Sequence, residues 1–129
     1  MATLTAKLIL QSGDLLSNDL DITVNNSLTL SHGGIERKKV TATSAGSSAT
    51  ILYTADVFAA PAYLYIRNTD SAETDYIYVY NDTATGDPVE LKIPGGEFAW
   101  LPLIADKTLM AYATSAGTVV EVGVFGDNN

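Results

Sequence analysis

The sequence predicts an all-β fold, an antiparallel β-sandwich of jelly-roll-like type with little or no helix. Three observations predict it. Val, Ile, Thr and Tyr are concentrated in short runs that alternate with period two. Clusters of Gly, Asn, Asp, Ser and Pro interrupt those runs at the spacing of β-turns. The gaps between runs are too short for the crossover helices that parallel strands require. At 129 residues and 47% hydrophobic composition, the chain is expected to form one sandwich domain, 1–129, with a real core.

Strands are expected at 3–11, 20–24, 28–30, 35–43, 49–53, 63–67, 76–80, 89–93, 97–101, 108–113 and 118–125. Turn signals separate them: Ser12-Gly13-Asp14, Asn25-Asn26, His32-Gly33-Gly34, residues 44–48, residues 85–88, Pro94-Gly95-Gly96 and Ser115-Ala116-Gly117. The small, polar run 41–50 reads as a mobile hairpin loop. Ala55-Asp56-Val57-Phe58-Ala59-Ala60-Pro61 reads either as a helical turn ended by Pro61 or as a loop inserting Phe58. The end, Gly126-Asp127-Asn128-Asn129, reads as a polar tail.

Two segments stand out, Tyr63-Leu64-Tyr65-Ile66-Arg67 and Tyr76-Ile77-Tyr78-Val79-Tyr80. Both are apolar in both phases. Joined by the polar stretch 68–74, they are expected to pair as a hairpin, with Ile66 facing Ile77 and Tyr65 facing Tyr78. One face is then aliphatic and the other a tyrosine ladder, which serves either as packing under a second layer or as a contact surface. Phe98 and Trp100 share one strand face and are expected to pack in the core, while Pro102 bars a central position in a sheet.

Composition narrows the functional classes. The formal charge of -8 disfavours nucleic acid, since phosphate recognition needs a basic footprint. The one basic cluster, Arg37-Lys38-Lys39 beside Glu36, is a solvated edge or a docking spot for an acidic neighbour. Without cysteine there is no disulfide, thiolate metal site or cysteine nucleophile. A single histidine, His32, cannot share zinc with a second, and beside two glycines it reads as a loop residue rather than a catalytic base. Glu36, Glu73, Glu90, Glu97 and Glu121 lie in different elements and select no glycosidase pair. Oxygen donors cluster at Asn18-Asp19-Leu20-Asp21 and in 70–75, as calcium would require, yet neither run has the spacing of a calcium loop. No apolar run is long enough for a membrane helix, and the start lacks the layout of a secretion signal, so folding in a cytoplasm is expected. No catalytic residue, metal or cofactor is assigned.

The second half resembles small virion structural proteins of tailed bacteriophages, especially capsid decoration (cement) and fibre-like β-proteins. The residues that carry the resemblance are Tyr63-Leu64-Tyr65-Ile66-Arg67-Asn68-Thr69-Asp70, Tyr76-Ile77-Tyr78-Val79-Tyr80 and Leu91-Lys92-Ile93-Pro94-Gly95-Gly96-Glu97-Phe98-Ala99-Trp100-Leu101-Pro102-Leu103, within 60–126. The resemblance implies a non-enzymatic particle component on the virion surface, assembled in the host cytoplasm. It also implies binding to the major capsid protein or another structural subunit, often as a homotrimer, with neither nucleic acid nor membrane as partner. The expected partner interface comprises Tyr63, Tyr65, Tyr78, Tyr80, Arg37, Lys38 and Lys39. The alternative is a glycan-binding fibre-tip or adhesin-like module that stacks sugars on Tyr and Trp100.

Overall fold

The computed structural model describes residues 2–15, 17–81, 90–103 and 105–128, which form ten strands and, among the described residues, no helix. The chain divides into two compact units, Met1–Ser31 and His32–Asn129.

The first unit is a two-stranded ribbon. β1 (Ala2–Ser12) pairs antiparallel with β2 (Leu20–Leu30), from Ala2 opposite Leu30 to Ser12 opposite Leu20, without a bulge. The two strands expected at 20–24 and 28–30 are one. Asn25 and Asn26 are no turn, because they sit opposite Lys7 and Ala6 in a continuous ladder. The bonds offered by an unbroken partner strand outweigh their weak strand preference. The reversal comes after Ser12, whose Oγ accepts the Leu15 N–H at 3.1 Å.

The second unit is a sandwich of two four-stranded antiparallel sheets. In chain order its strands are β3 (His32–Val40), β4 (Thr50–Tyr53), β5 (Phe58–Asn68), β6 (Ile77–Asn81), β7 (Leu91–Ile93), β8 (Phe98–Leu103), β9 (Leu109–Ala113) and β10 (Thr118–Asn128). The first sheet runs β3-β10-β5-β8 and the second β4-β9-β6-β7. Every connection in this unit passes from one sheet to the other except β6 to β7. That order is the jelly roll, two Greek keys wrapped into facing sheets.

The order corrects the expected tyrosine hairpin. β5 pairs with β10 and β8, whereas β6 pairs with β9 and β7, so the two segments lie in different sheets. Tyr65 stands beside Gly123 and Trp100, and Tyr78 beside Tyr112 and Lys92. The aliphatic phase does converge, but through the sandwich. Leu64 and Ile66 from one sheet and Ile77 and Val79 from the other are all at most 1% exposed and share a core with Val40, Leu52, Ile93, Val120 and Val122. Sheets that pack face to face bring their inner side chains together across about 10 Å, so facing phases and paired strands look alike in a sequence.

Asn68 explains why 68–74 crosses between sheets. Its side chain is fully buried and its Nδ2 donates to Asp75 O at 2.7 Å and Ile93 O at 3.0 Å, while Oδ1 accepts the Asp70 N–H at 3.0 Å. A residue of the first sheet is thereby tied to the second, with every amide group used. Thr69 Oγ1 donates to Val119 O at 2.6 Å, and Asp70 Oδ1 accepts the Ala72 N–H at 2.9 Å. Each side chain of the Asn-Thr-Asp run holds this corner. Gly95 lies against it so closely that a Cβ would overlap the backbone of Ala72.

Other boundaries also move. Asp56 has φ 62°, which no helical turn accepts, and strand β5 starts at Phe58 and includes Pro61 after a cis peptide bond. The run 41–49 links the two sheets and is no hairpin; Ala42 and Ala49 in it are buried. His32-Gly33-Gly34 begins β3 rather than forming a turn, and a Cβ on Gly33 would fall on the ring of Phe125. The C-terminal residues to Asn128 extend β10. The turn expected at 85–88 and the start of the strand expected at 89–93 lie outside the described residues.

Candidate functional site

Alternation along each strand sends one phase inward and the other outward, so each sheet has an outer face. On the first sheet the outward phase includes Ile35, Arg37 and Lys39 on β3, Val119, Glu121, Gly123 and Phe125 on β10, Tyr63, Tyr65 and Arg67 on β5, and Phe98, Trp100 and Pro102 on β8. Tyr63 and Trp100 stack with ring centroids 5.6 Å apart and planes at 6°, and Trp100 meets Phe125 at 5.8 Å and 43°. Phe125 lies flat across two glycines, since a Cβ on Gly33 or Gly123 would collide with its ring. The aromatic patch is thus continuous from β3 to the β8 edge. Phe98 is 62% exposed and Ile35 61% exposed at its margins.

The charges on this face oppose those of the whole chain. Among the described positions named above, Arg37, Lys39 and Arg67 contribute three positive charges and Glu121 one negative, a local balance of +3 − 1 = +2 in a chain of formal charge -8. Glu121 is itself engaged. Its Oε1 accepts the Tyr65 hydroxyl at 2.9 Å, and its Oε2 lies 3.7 Å from Arg37 Nη2. Burial raises the Tyr65 pKa above the usual phenol value, and the Glu121 hydrogen bond and charge raise it further, against a lowering by Arg67. Tyr65 therefore remains a neutral donor in ordinary buffers.

The second sheet's outer face is also aromatic but differently finished. Tyr78 stacks on Tyr112 at 4.8 Å, Tyr80 tilts against Tyr112 at 5.8 Å, and Lys92 Nζ sits 4.1 Å above the Tyr76 ring. Residues 41–49 cover part of this row. Ala42 and Ala49 pack with Tyr80 and Tyr112, and the Tyr80 hydroxyl accepts the Gly46 N–H at 3.1 Å. Tyr80 and Tyr112 are consequently 3% and 7% exposed.

The seven expected interface residues therefore separate. Tyr63, Tyr65, Arg37 and Lys39 meet on the first sheet's outer face. Lys38 falls in the opposite phase, donating to Ile51 O at 2.8 Å and pairing with Glu36 at 3.2 Å. Tyr78 lies on the other sheet, and Tyr80 is packing rather than interface. Sequence reasoning placed Phe98 and Trp100 in the core, and the structure turns both outward. The signal was present in their own strand, where Ala99, Leu101 and Leu103 form the aliphatic phase that goes inside. Phe125, Ile35 and Arg67 were missed because nothing in the sequence reveals that β3, β10 and β5 are neighbours.

Among the described residues, no three His, Cys, Asp or Glu side chains gather as metal ligands. Asp70 and Asp75, from one acidic run, serve local structure, with Asp75 Oδ1 accepting the Ser115 hydroxyl at 2.9 Å. What the open face offers is a broad apolar contact area with a positive margin. Compared with known protein families, with curated proteins and with solved structures, the chain matches none.

Proposed function

We propose that this protein is a non-enzymatic virion structural protein, a decoration or cement subunit that binds the capsid surface of a tailed bacteriophage. The observation that carries the reading is the open outer face of the first sheet: aromatic, basic at its margin and part of a jelly roll. Jelly rolls are used by viral capsid and lectin domains, although a fold by itself decides no function. Aromatic and Arg side chains are those enriched where proteins meet, and the positive margin fits an acidic partner surface. Binding of this kind adds cohesion by mass action, because the subunit stabilises only the assembled lattice it bridges.

Electron microscopy of particles made with and without the protein tests the reading. Added surface density in the first and its loss with a Phe98→Glu, Ile35→Glu variant support decoration; identical particle surfaces overturn it. The glycan-binding alternative draws less support from the same face. Tyr63 and Trp100 stack on each other, so one ring face of each is already covered rather than free for a sugar.

A further inference from the structure

The outer face of the first sheet is graded from one end to the other. Opposed residues on neighbouring strands lie side by side, so the face reads as rows running across the strands. Phe125 and Tyr63 share one row, and Gly123, Tyr65 and Trp100 share the next. The row after that is Arg37, Glu121, Arg67 and Phe98. Lys39 stands one row further, opposite Val119. Aromatic rings fill one end, cations gather at the other, and Phe98 borders both.

The fold leaves these cations with charge to spare. Glu121 is the one carboxylate among the outward residues named, and its Oε1 accepts the Tyr65 hydroxyl at 2.9 Å. Its Oε2 lies 3.7 Å from Arg37 Nη2, an ionic contact too long for a hydrogen bond. Arg37, Lys39 and Arg67 are all exposed, and among the described residues neither Lys39 nor Arg67 forms an ion pair.

From these observations we infer that this basic corner is a carboxylate-binding site, and that its occupant is an acidic, extended segment of the subunit on which this protein docks. The inference rests on the docking role proposed above and adds the chemistry of the partner. Charge complementarity selects the occupant: the corner is positive, +3 − 1 = +2, in a chain of formal charge -8, so an anion is drawn here and repelled elsewhere. The forked guanidinium groups of Arg37 and Arg67 match carboxylates in bidentate pairs. Their row spans about 14 Å from Arg37 to Phe98, roughly the reach of four extended residues. A segment laid along it meets the arginines with carboxylates and Phe98 with an apolar side chain. Nucleic acid fits less well, because its continuous phosphates would run from this small corner onto a strongly acidic chain.

Titration of the isotope-labelled full chain, followed by amide chemical shifts, is the test. The probe is a synthetic peptide that alternates Glu and Thr and ends in Phe. Saturable shifts should centre on Arg37, Lys39, Arg67 and Phe98, and added salt should weaken them. Lys39→Glu with Arg67→Glu, both at exposed positions, should weaken binding roughly tenfold, with circular dichroism unchanged. Lys7→Glu in the ribbon should not. Equal binding of the same peptide with Gln for Glu, shifts that centre elsewhere, or no saturable shifts overturn the inference. Tighter binding of a thymidine oligonucleotide overturns it too, in favour of phosphate. So does a self-associated chain whose mass falls with the Lys39 and Arg67 changes, which would make the occupant the ribbon end of a second copy, where Asp14, Asp19 and Asp21 lie. Particle microscopy separates the two readings. Bare particles beside a peptide-binding chain overturn the docking role alone, whereas particle density that survives the Lys39 and Arg67 changes overturns the carboxylate site alone.

Discussion

Both sheets of the sandwich turn tyrosines outward, and the two rows have different fates. On the second sheet, Tyr80 and Tyr112 lie under residues 41–49 and are almost fully buried. On the first sheet, Tyr63, Tyr65, Trp100 and Phe125 remain half-buried, with Phe98 and Ile35 open beside them. The residue types are nearly the same. What differs is whether the chain itself supplies a cover, and thus whether a row contributes to folding or is left for a partner. A tyrosine in an alternating strand is evidence of an aromatic row and says little about who covers it.

Substitutions that distinguish stability from association can break or sharpen that contrast. The largest expected effect is Tyr112→Ala on the covered face, a loss of about 3 kcal/mol or more in urea unfolding, since it empties a buried aromatic site. A loss no greater than that of an exposed residue would mean residues 41–49 are not a cover at all. Next comes Tyr80→Phe. It leaves the Gly46 N–H without its acceptor and removes the weak bond to Met110 Sδ, at a cost of about 1 kcal/mol by the same assay.

A smaller effect, conditional on pH, is expected at Tyr65. Its folded-state pKa is raised, chiefly by burial and then by the Glu121 bond. The unfolded chain therefore ionises first, and the folded state holds the proton longer. The contribution is complete below about pH 10, the unfolded phenol value, and is lost as pH rises through the higher folded value. The stability difference between wild type and Tyr65→Phe should be flat below that pH and shrink above it. A difference that grows instead would show that Glu121 does not hold the phenol. Smallest of all, Phe98→Ser on the open face should change unfolding by no more than about 0.5 kcal/mol, while reducing any binding to particles. A large stability loss there would place Phe98 under cover.

Much of this was legible in the sequence. Leu64, Ile66, Ile77 and Val79 were recognisable as one aliphatic set, and they form the centre of the core. Pro102 signalled an edge, and β8 is an edge strand. The errors share one origin. Asn68 and the residues after it look like a hairpin turn, yet the buried Asn68 amide donates to the Ile93 carbonyl of the opposite sheet and to the Asp75 carbonyl just before β6, a role visible only once both sheets are in place. Phe98 and Trp100 have the size of core residues, although the phase of Ala99, Leu101 and Leu103 points them outward. The candidate site was half legible: Tyr63, Tyr65, Arg37 and Lys39 belong to it, but Phe125 and Arg67 join only through strands far apart in the chain.

By itself the sequence determined the all-β class, which side chains alternate along each strand and which phase avoids water, because the pleat and side-chain hydrophobicity are local properties. The tertiary structure alone decided which strands are neighbours, which sheet each tyrosine row belongs to and which row is covered. Hydrogen-bond ladders between distant segments make that choice, and no local pattern specifies their partners.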